Sequence, residues 1–267
     1  MKSIYFDDIN FSCLSKQKMT NNKESVLFHN NDTIYKFLVA LSNDERKRKQ
    51  QKVEILSSEE ISPIIINPKE QIICKNLDER FEGYTMDYIK SSKTLYKAFV
   101  KNKRVSILLP ILITISKSLE EIHSNPMDIV ISDLHAENII VDKNYKPYII
   151  DIDSCKIATI KNDSIPTTLK YYLLNRNLFH SIEETKTTKN TDKLSFLMMS
   201  LGLIFNKHVD DILMNQYDKV AERIIILQTM REIVLEIKKC KTIPEVPYFH
   251  EIIKENDLQL IRTKNKK

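Results

Sequence analysis

Apolar residues recur along the chain in two rhythms. Residues 25–38, SVLFHNNDTIYKFL, form two β-rich runs around His29, Asn30, Asn31 and Asp32, which predicts a hairpin. Residues 3–14 offer another strand. Residues 64–66, 71–74 and 84–89 are short strand-like runs broken by Pro63, Pro68 and Gly83. Residues 43–58 turn helical, with Asn43 the expected N-cap. Residues 1–89 therefore predict a five-stranded sheet with one helix after the third strand. Beyond residue 91 the period lengthens to that of a helix over 105–123, 192–205 and 220–239. The expectation is an α+β protein, with a β-rich domain over residues 1–89 and a helical one over 90–267. No internal repeat is visible.

Between the helices, residues 129–156 read IVISDLHAENIIVDKNYKPYIIDIDSCK. IVIS is an apolar run that ends at Asp133, while NIIV and YIID are strand-like and separated by a turn over 142–146. Asp133 thus precedes a hairpin, Asn138 opens it and Asp151 stands at its far end, so three oxygen-bearing side chains are expected at one edge. Magnesium takes such hard oxygen ligands and shares them with substrate phosphates. Upstream, Lys36 ends the first hairpin in TIYKF, and Glu54 follows 18 residues later on the expected helix. Lys36 also fits an edge-strand lysine that resists aggregation, and Glu45 or Glu59 could stand in for Glu54.

Composition narrows the chemistry. The chain has 267 residues, 42% hydrophobic and 29% charged, a globular balance. It has only two glycines, Gly83 and Gly202, and neither GxGxxG nor GxxxxGK[ST], so a Rossmann site and a P-loop are excluded. Net charge is +5, from 41 basic and 36 acidic residues interspersed, which does not imply nucleic acid. The densest basic run, ERKRKQQK at 45–52, reads as a solvated helix face. Cys13, Cys74, Cys155 and Cys240 lie far apart with no CxxC, which suggests reduced thiols and no zinc site. The longest apolar run, 105–116, falls short of a membrane span and reads as a buried helix. An acidic pair interrupts the N-terminal apolar stretch, so a cytoplasmic protein with no membrane partner is expected.

These residues together resemble the protein-kinase-like superfamily, including its bacterial and aminoglycoside-phosphotransferase-like branches, over about residues 20–205. TIYK resembles the family's VAIK, SDLHAEN its HRDxxxxN loop and still more the DLHxxN form, and Asp151-Ile152-Asp153 stands where DFG stands. GYTMDYI looks like the last strand and hinge of the small lobe, and NTDKLSF like the start of the central helix of the large one, with Asp192 a structural anchor.

The resemblance implies a two-lobed protein-kinase-like fold, small and β-rich then helical, that binds ATP and Mg2+. It implies that Lys36 holds the α- and β-phosphates with Glu54 its helix partner, and that Met86 lines the adenine pocket. Tyr88 and Ile89 would give backbone hydrogen bonds there. Asp133 would be the catalytic base, and Asn138 and Asp151 metal ligands. Asp153 would be a further metal ligand or a turn cap, and His135 a γ-phosphate contact or a plain loop histidine. The function implied is transfer of the ATP γ-phosphoryl group to a hydroxyl, with protein Ser/Thr favoured over a small molecule. A small-molecule kinase and a pseudokinase are the alternatives.

The chain departs from the pattern in four places. Met19 to Ser25 stands where the family has a glycine-rich loop, the DFG glycine is Asp153, and no APE motif follows. The residue before the catalytic aspartate is Ser132 in place of an arginine. Modification of Ser164, Thr167 or Thr168 is therefore not expected to be the activating switch.

Overall fold

The computed structural model describes residues 1–16, 24–99, 105–158, 160, 187–205, 225–240 and 242–253. The chain is α+β and divides into two compact units, one of residues 1–92 with 149–154, the other of 93–148 with 155–267.

The first unit is built on a six-stranded mixed sheet in the order β1-β5-β6-β4-β3-β2. Its strands are β1 (Lys2–Tyr5), β2 (Ser15–Lys16), β3 (Ser25–Asn30), β4 (Thr33–Leu38), β5 (Pro68–Cys74) and β6 (Arg80–Asp87). The expected hairpin is β3–β4, and Asn31 takes the positive φ (51°) that its tight turn requires. The single strand expected over 3–14 is instead two short ones, β1 and β2, with 3-10 turns at Phe6–Asp8 and Phe11–Cys13 between them. β1 runs parallel to β5, which makes the sheet mixed. Residues 64–66 form no strand. Ile65 makes one isolated parallel bridge to Ile149, where the chain re-enters this unit.

Helix α1 (Asn43–Ser58) matches the expected span, but its cap lies one residue earlier. Ser42 accepts from the Glu45 N–H, and the Glu45 carboxylate accepts from the Ser42 N–H, a reciprocal capping box. The basic run is not a wholly solvated face. Arg46 turns inward and donates to the Phe81 and Leu38 carbonyls and to Glu82, and Lys52 is buried. At a 3.6-residue period Arg46, Lys49, Val53 and Leu56 share one face, and the long basic stems cover apolar surface below.

The second unit holds the short strands β7 (Lys93–Thr94), β8 (Ile139–Val141) and all but the last residue of β9 (Pro147–Ile149), paired in that order, and the remaining helices. These are α2 (Leu95–Phe99), α3 (Val105–Ser124), α4 (Lys189–Phe205), α5 (Ile225–Cys240) and α6 (Phe249–Ile252). Leu112, Ile115, Leu119 and Ile122 of α3 are entirely or almost entirely buried, as the apolar period predicts. Among the described residues no helix is long and apolar enough to cross a membrane.

Candidate active site

Two clusters of functional groups stand out, one in each unit. In the first unit β4 alternates its side chains, so Ile34, Lys36 and Leu38 share its buried face. Lys36 pairs in register with Tyr84 of β6, its Nζ 5.4 Å from the ring centre. The close approach of the two strands requires a glycine. A Cβ at Gly83 would collide with the Lys36 carbonyl oxygen and stand 3.1 Å from the Phe37 Cα.

Lys36 is 4% exposed, and its ammonium donates to Asp151 and, at 2.6 Å, to Oδ1 of Asp153. Asp153 is entirely buried. Its Oδ1 also accepts the Tyr84 hydroxyl at 2.9 Å, and its Oδ2 accepts Lys49 Nζ of α1 at 2.6 Å. Two ammonium groups and two carboxylates thus neutralise one another where an isolated charge would be prohibitive.

The environment splits the two carboxyls. Burial opposes ionisation of Asp153, but Lys36 and Lys49 overcome it and hold this carboxyl well below the ordinary range. Asp151 is raised, by burial first and by the charge of Asp153, against the pull of Lys36. Burial also works against the Lys36 ammonium, and Asp153, Tyr84 and Asp151 reverse the balance, so its pKa lies well above the usual lysine value. Tyr84 is pushed well up by burial and by Asp153.

The cluster in the second unit is built from backbone. Asp192, at the start of α4 and fully buried, accepts from the N–H groups of Ile131 (2.6 Å) and Ser132 (2.9 Å), with His123 Nε2 at 3.1 Å. Its carboxylate holds the chain in a bend that L-residues rarely adopt. Ser132 has φ 71°, and the Asp133 N–H bonds back to the Ile131 carbonyl at 2.8 Å, the two-residue closure of a γ-turn.

Asp133 emerges from this turn with its side chain 33% exposed. Asn138 Nδ2 donates to the Asp133 carbonyl at 3.0 Å and to its Oδ2 at 3.3 Å, which closes the loop before β8. His135 Nδ1 accepts from the Glu137 N–H at 3.3 Å, so a neutral ring carries its proton on Nε2, 3.5 Å from Asp133 Oδ2. The following hairpin is set by Asp142, whose side chain accepts from the N–H groups of Asn144 and Lys146.

The structure brings together Lys36, Asp151 and Asp153 in the first unit, and Asp133, His135 and Asn138 in the second. Glu54 takes no part. It is exposed on α1, and the α1 side chain that reaches this cluster is Lys49. Asp153, expected as a metal ligand or a turn cap, has both oxygens engaged by ammonium and phenol groups. Met86 is buried in β6 between Ile34 and Pro68, its register partners on either side. The Tyr88 N–H is engaged by the Asp32 carbonyl at 2.8 Å and its ring stacks on His29, while the Ile89 carbonyl accepts from Ser92. Most of the stretch that stands for the glycine-rich loop, and Ser164, Thr167 and Thr168, lie outside the described residues.

Lys49, Tyr84 and Gly83 were missed as site residues. Lys49 carried a signal, since the helical period puts it on the face of Val53 and Leu56, and the strand alternation of β6 puts Tyr84 on the face of Met86. Among the described residues no group of three or more His, Cys, Asp or Glu side chains forms a ready-made metal cage. No family model matches the chain, and no curated protein matches it.

Proposed function

We propose that the chain is an ATP- and magnesium-dependent phosphotransferase of two-lobed protein-kinase-like fold that moves the γ-phosphoryl group to a hydroxyl, with protein Ser/Thr the favoured acceptor. One observation carries the reading. The two sequence motifs that a kinase must bring together, TIYK and DID, are 115 residues apart, and Lys36 and Asp151 meet as an ion pair.

In this reading Lys36 holds the phosphates of ATP. The resemblance assigns the magnesium ligands to Asn138 and Asp151, each within its own unit. Both offer hard oxygen donors, and the Asn138 amide is already oriented through its nitrogen by Asp133. One or two such groups suffice, because magnesium completes its shell with water and phosphate oxygens. When bound it neutralises charge on the phosphates. Asp133 takes the proton of the acceptor hydroxyl. Its partial exposure lets an acceptor reach it, and the Asp192-held γ-turn fixes its direction.

A nucleotide-binding module without turnover is the second reading. One observation favours it: the Lys36 charge is already met by two carboxylates, so phosphates must compete for it.

Thermal unfolding with and without ATP and magnesium, followed by transfer from γ-labelled ATP to a mixed protein substrate, separates the readings. At 100 times the dissociation constant, binding adds about 2.7 kcal/mol of stability. Transfer that requires magnesium is the expected result. Stabilisation without transfer selects the second reading, and no stabilisation at millimolar ATP and magnesium overturns both.

A further inference from the structure

Protein kinases use a glutamate of the small-lobe helix to position the strand lysine. The resemblance assigns that task to Glu54, and Glu54 is exposed outside the cluster. On α1 the residue that reaches the cluster is a cation, Lys49, and the carboxylate it grips is Asp153.

We propose that Asp153, clamped by Lys49 and Tyr84, is the positioning residue for Lys36, so that the carboxylate normally carried by the helix has moved to the loop after β9. The proposal rests on the phosphotransferase reading for the use made of Lys36, but the anchoring itself stands on this geometry.

Three features carry it. Of the four charged side chains of this cluster only Asp153 has no exposure at all, so a nucleotide arriving from solvent meets Asp151, 24% exposed, before it meets Asp153. Its two oxygens point to different lysines, Oδ1 to Lys36 and Oδ2 to Lys49, each at 2.6 Å. The Tyr84 hydroxyl on Oδ1 fixes the remaining rotation of the carboxylate and stands directly across the β4–β6 register from Lys36. The lysine is held from the loop, the helix and the neighbouring strand at once.

The division of labour follows from these contacts. Asp151 shares the lysine and keeps an exposed flank for a ligand, whereas Asp153 faces only protein. A cation on α1 is then a requirement, because a glutamate at position 49 would set two carboxylates against each other. This accounts for ERKRKQQK having an inward lysine at its centre.

The test compares the wild type, Asp153→Asn, Lys49→Glu, the double variant Asp153→Asn/Lys49→Glu, and Glu54→Gln, each with Mg-ATP and with adenosine. The expected result for Asp153→Asn is an ATP dissociation constant at least about 10-fold higher with adenosine affinity unchanged, because a displaced lysine affects only the phosphates. Adding Lys49→Glu returns a carboxylate from the helix and recovers most of the loss, which general damage to the fold would not allow. An unchanged ATP affinity in Asp153→Asn, an equal loss for ATP and adenosine, or a loss in Glu54→Gln instead, overturns the proposal.

Urea unfolding of Lys36→Met, Asp153→Asn and the pair together supplies a ligand-free check. The two shifts in midpoint should fall well short of adding. If the wild type binds no nucleotide, the phosphotransferase reading fails and this cycle alone decides the anchoring, with additive shifts overturning it.

Discussion

The Lys36 cluster and the Asp133 loop solve opposite problems. The first gathers four charged groups, Lys36 and Asp153 buried and Lys49 and Asp151 half-buried, and makes them tolerable by pairing each cation with a carboxylate. The second leaves its carboxylate a third exposed and fixes it through backbone, with one buried aspartate, Asp192, holding two consecutive N–H groups. The difference teaches which residues can be replaced cheaply. In a closed charge cluster, removing one member strands the others. In a backbone-held loop, the side chain at the tip carries little of the stability and can be given over to chemistry.

The largest expected effect sharpens that contrast at the level of activity. Under the proposed function, Asp133→Asn preserves the loop's size and shape and removes only the base, so Mg-ATP stabilisation persists while phosphoryl transfer falls by roughly 10²- to 10⁴-fold. Asp151→Asn lies on the other side of the comparison and weakens the magnesium-dependent part of binding itself. Titration of both variants with ATP, with and without magnesium, checks this. Equal losses of nucleotide affinity would break the division.

Stability should invert the order. Lys36→Met takes from Asp151 the ammonium it pairs with and leaves Asp153 with Lys49 alone, and breaking a buried pair from one side costs about 3–5 kcal/mol. Asp192→Asn leaves one backbone N–H without a good acceptor, at about 1–3 kcal/mol. Urea midpoints rank the two. A Lys36→Met cost below that of Asp192→Asn would mean that the charge cluster is looser than its distances indicate.

Much of this was legible in the sequence, and the reasons for the exceptions are physical. The β3–β4 hairpin, α1 and α3 follow from local periodicity and turn chemistry, and these the pattern of residues predicted closely. β1 and β2 were harder, because a strand of two to four residues has too few positions to show alternation, and β1 owes its place to long-range pairing with β5. At the site, Lys36, Asp133, Asn138 and Asp151 stood out as chemistry at recognisable spacings. Asp153 stood out too, but its partners did not. Lys49 lies inside a basic run, where composition suggests solvent, and only the direction of each helix position separates the inward lysine from its exposed neighbours. Which element carries the carboxylate partner of Lys36 could not be inferred from spacing, since a helix carboxylate and a loop carboxylate meet the same demand.

The pH dependence tests the same cluster. Lys36 and Tyr84 have folded pKa values raised well above their ordinary ones, so their stabilisation is complete below about pH 10, the usual value for both groups, and is lost as pH rises through the folded values. Asp153 is depressed, so its contribution is present above about pH 4 and is lost as pH falls through the folded value. Asp151 has the opposite sign, since its raised pKa makes the fold favour its protonated form and its ionisation subtracts stability as pH rises through the folded value. Relative to Lys36→Met, the wild type should therefore hold its advantage at pH 8 and lose it progressively above pH 10, as urea unfolding at a series of pH values would record. An advantage independent of pH between 8 and 12 would indicate that Lys36 contributes through packing of its stem and not through its charge.

The smallest effect probes the backbone side of the comparison, at Ser132. Its φ of 71° costs an L-residue on the order of 1 kcal/mol or more, which the two hydrogen bonds from Ile131 and Ser132 to Asp192 offset. Ser132→Gly removes the strain, and it also frees the unfolded chain and deletes the hydroxyl that donates to the Val130 carbonyl at 3.3 Å, so the net change stays within about 1 kcal/mol. Ser132→Val adds a β-branched side chain at the same φ and costs about 1–3 kcal/mol, because its Cβ substituents crowd the backbone in this region. Denaturant midpoints of the two variants measure the asymmetry. If valine is tolerated as well as glycine, the turn has relaxed to negative φ and the direction of Asp133 is set by Asn138 and His135, not by the Asp192-held backbone.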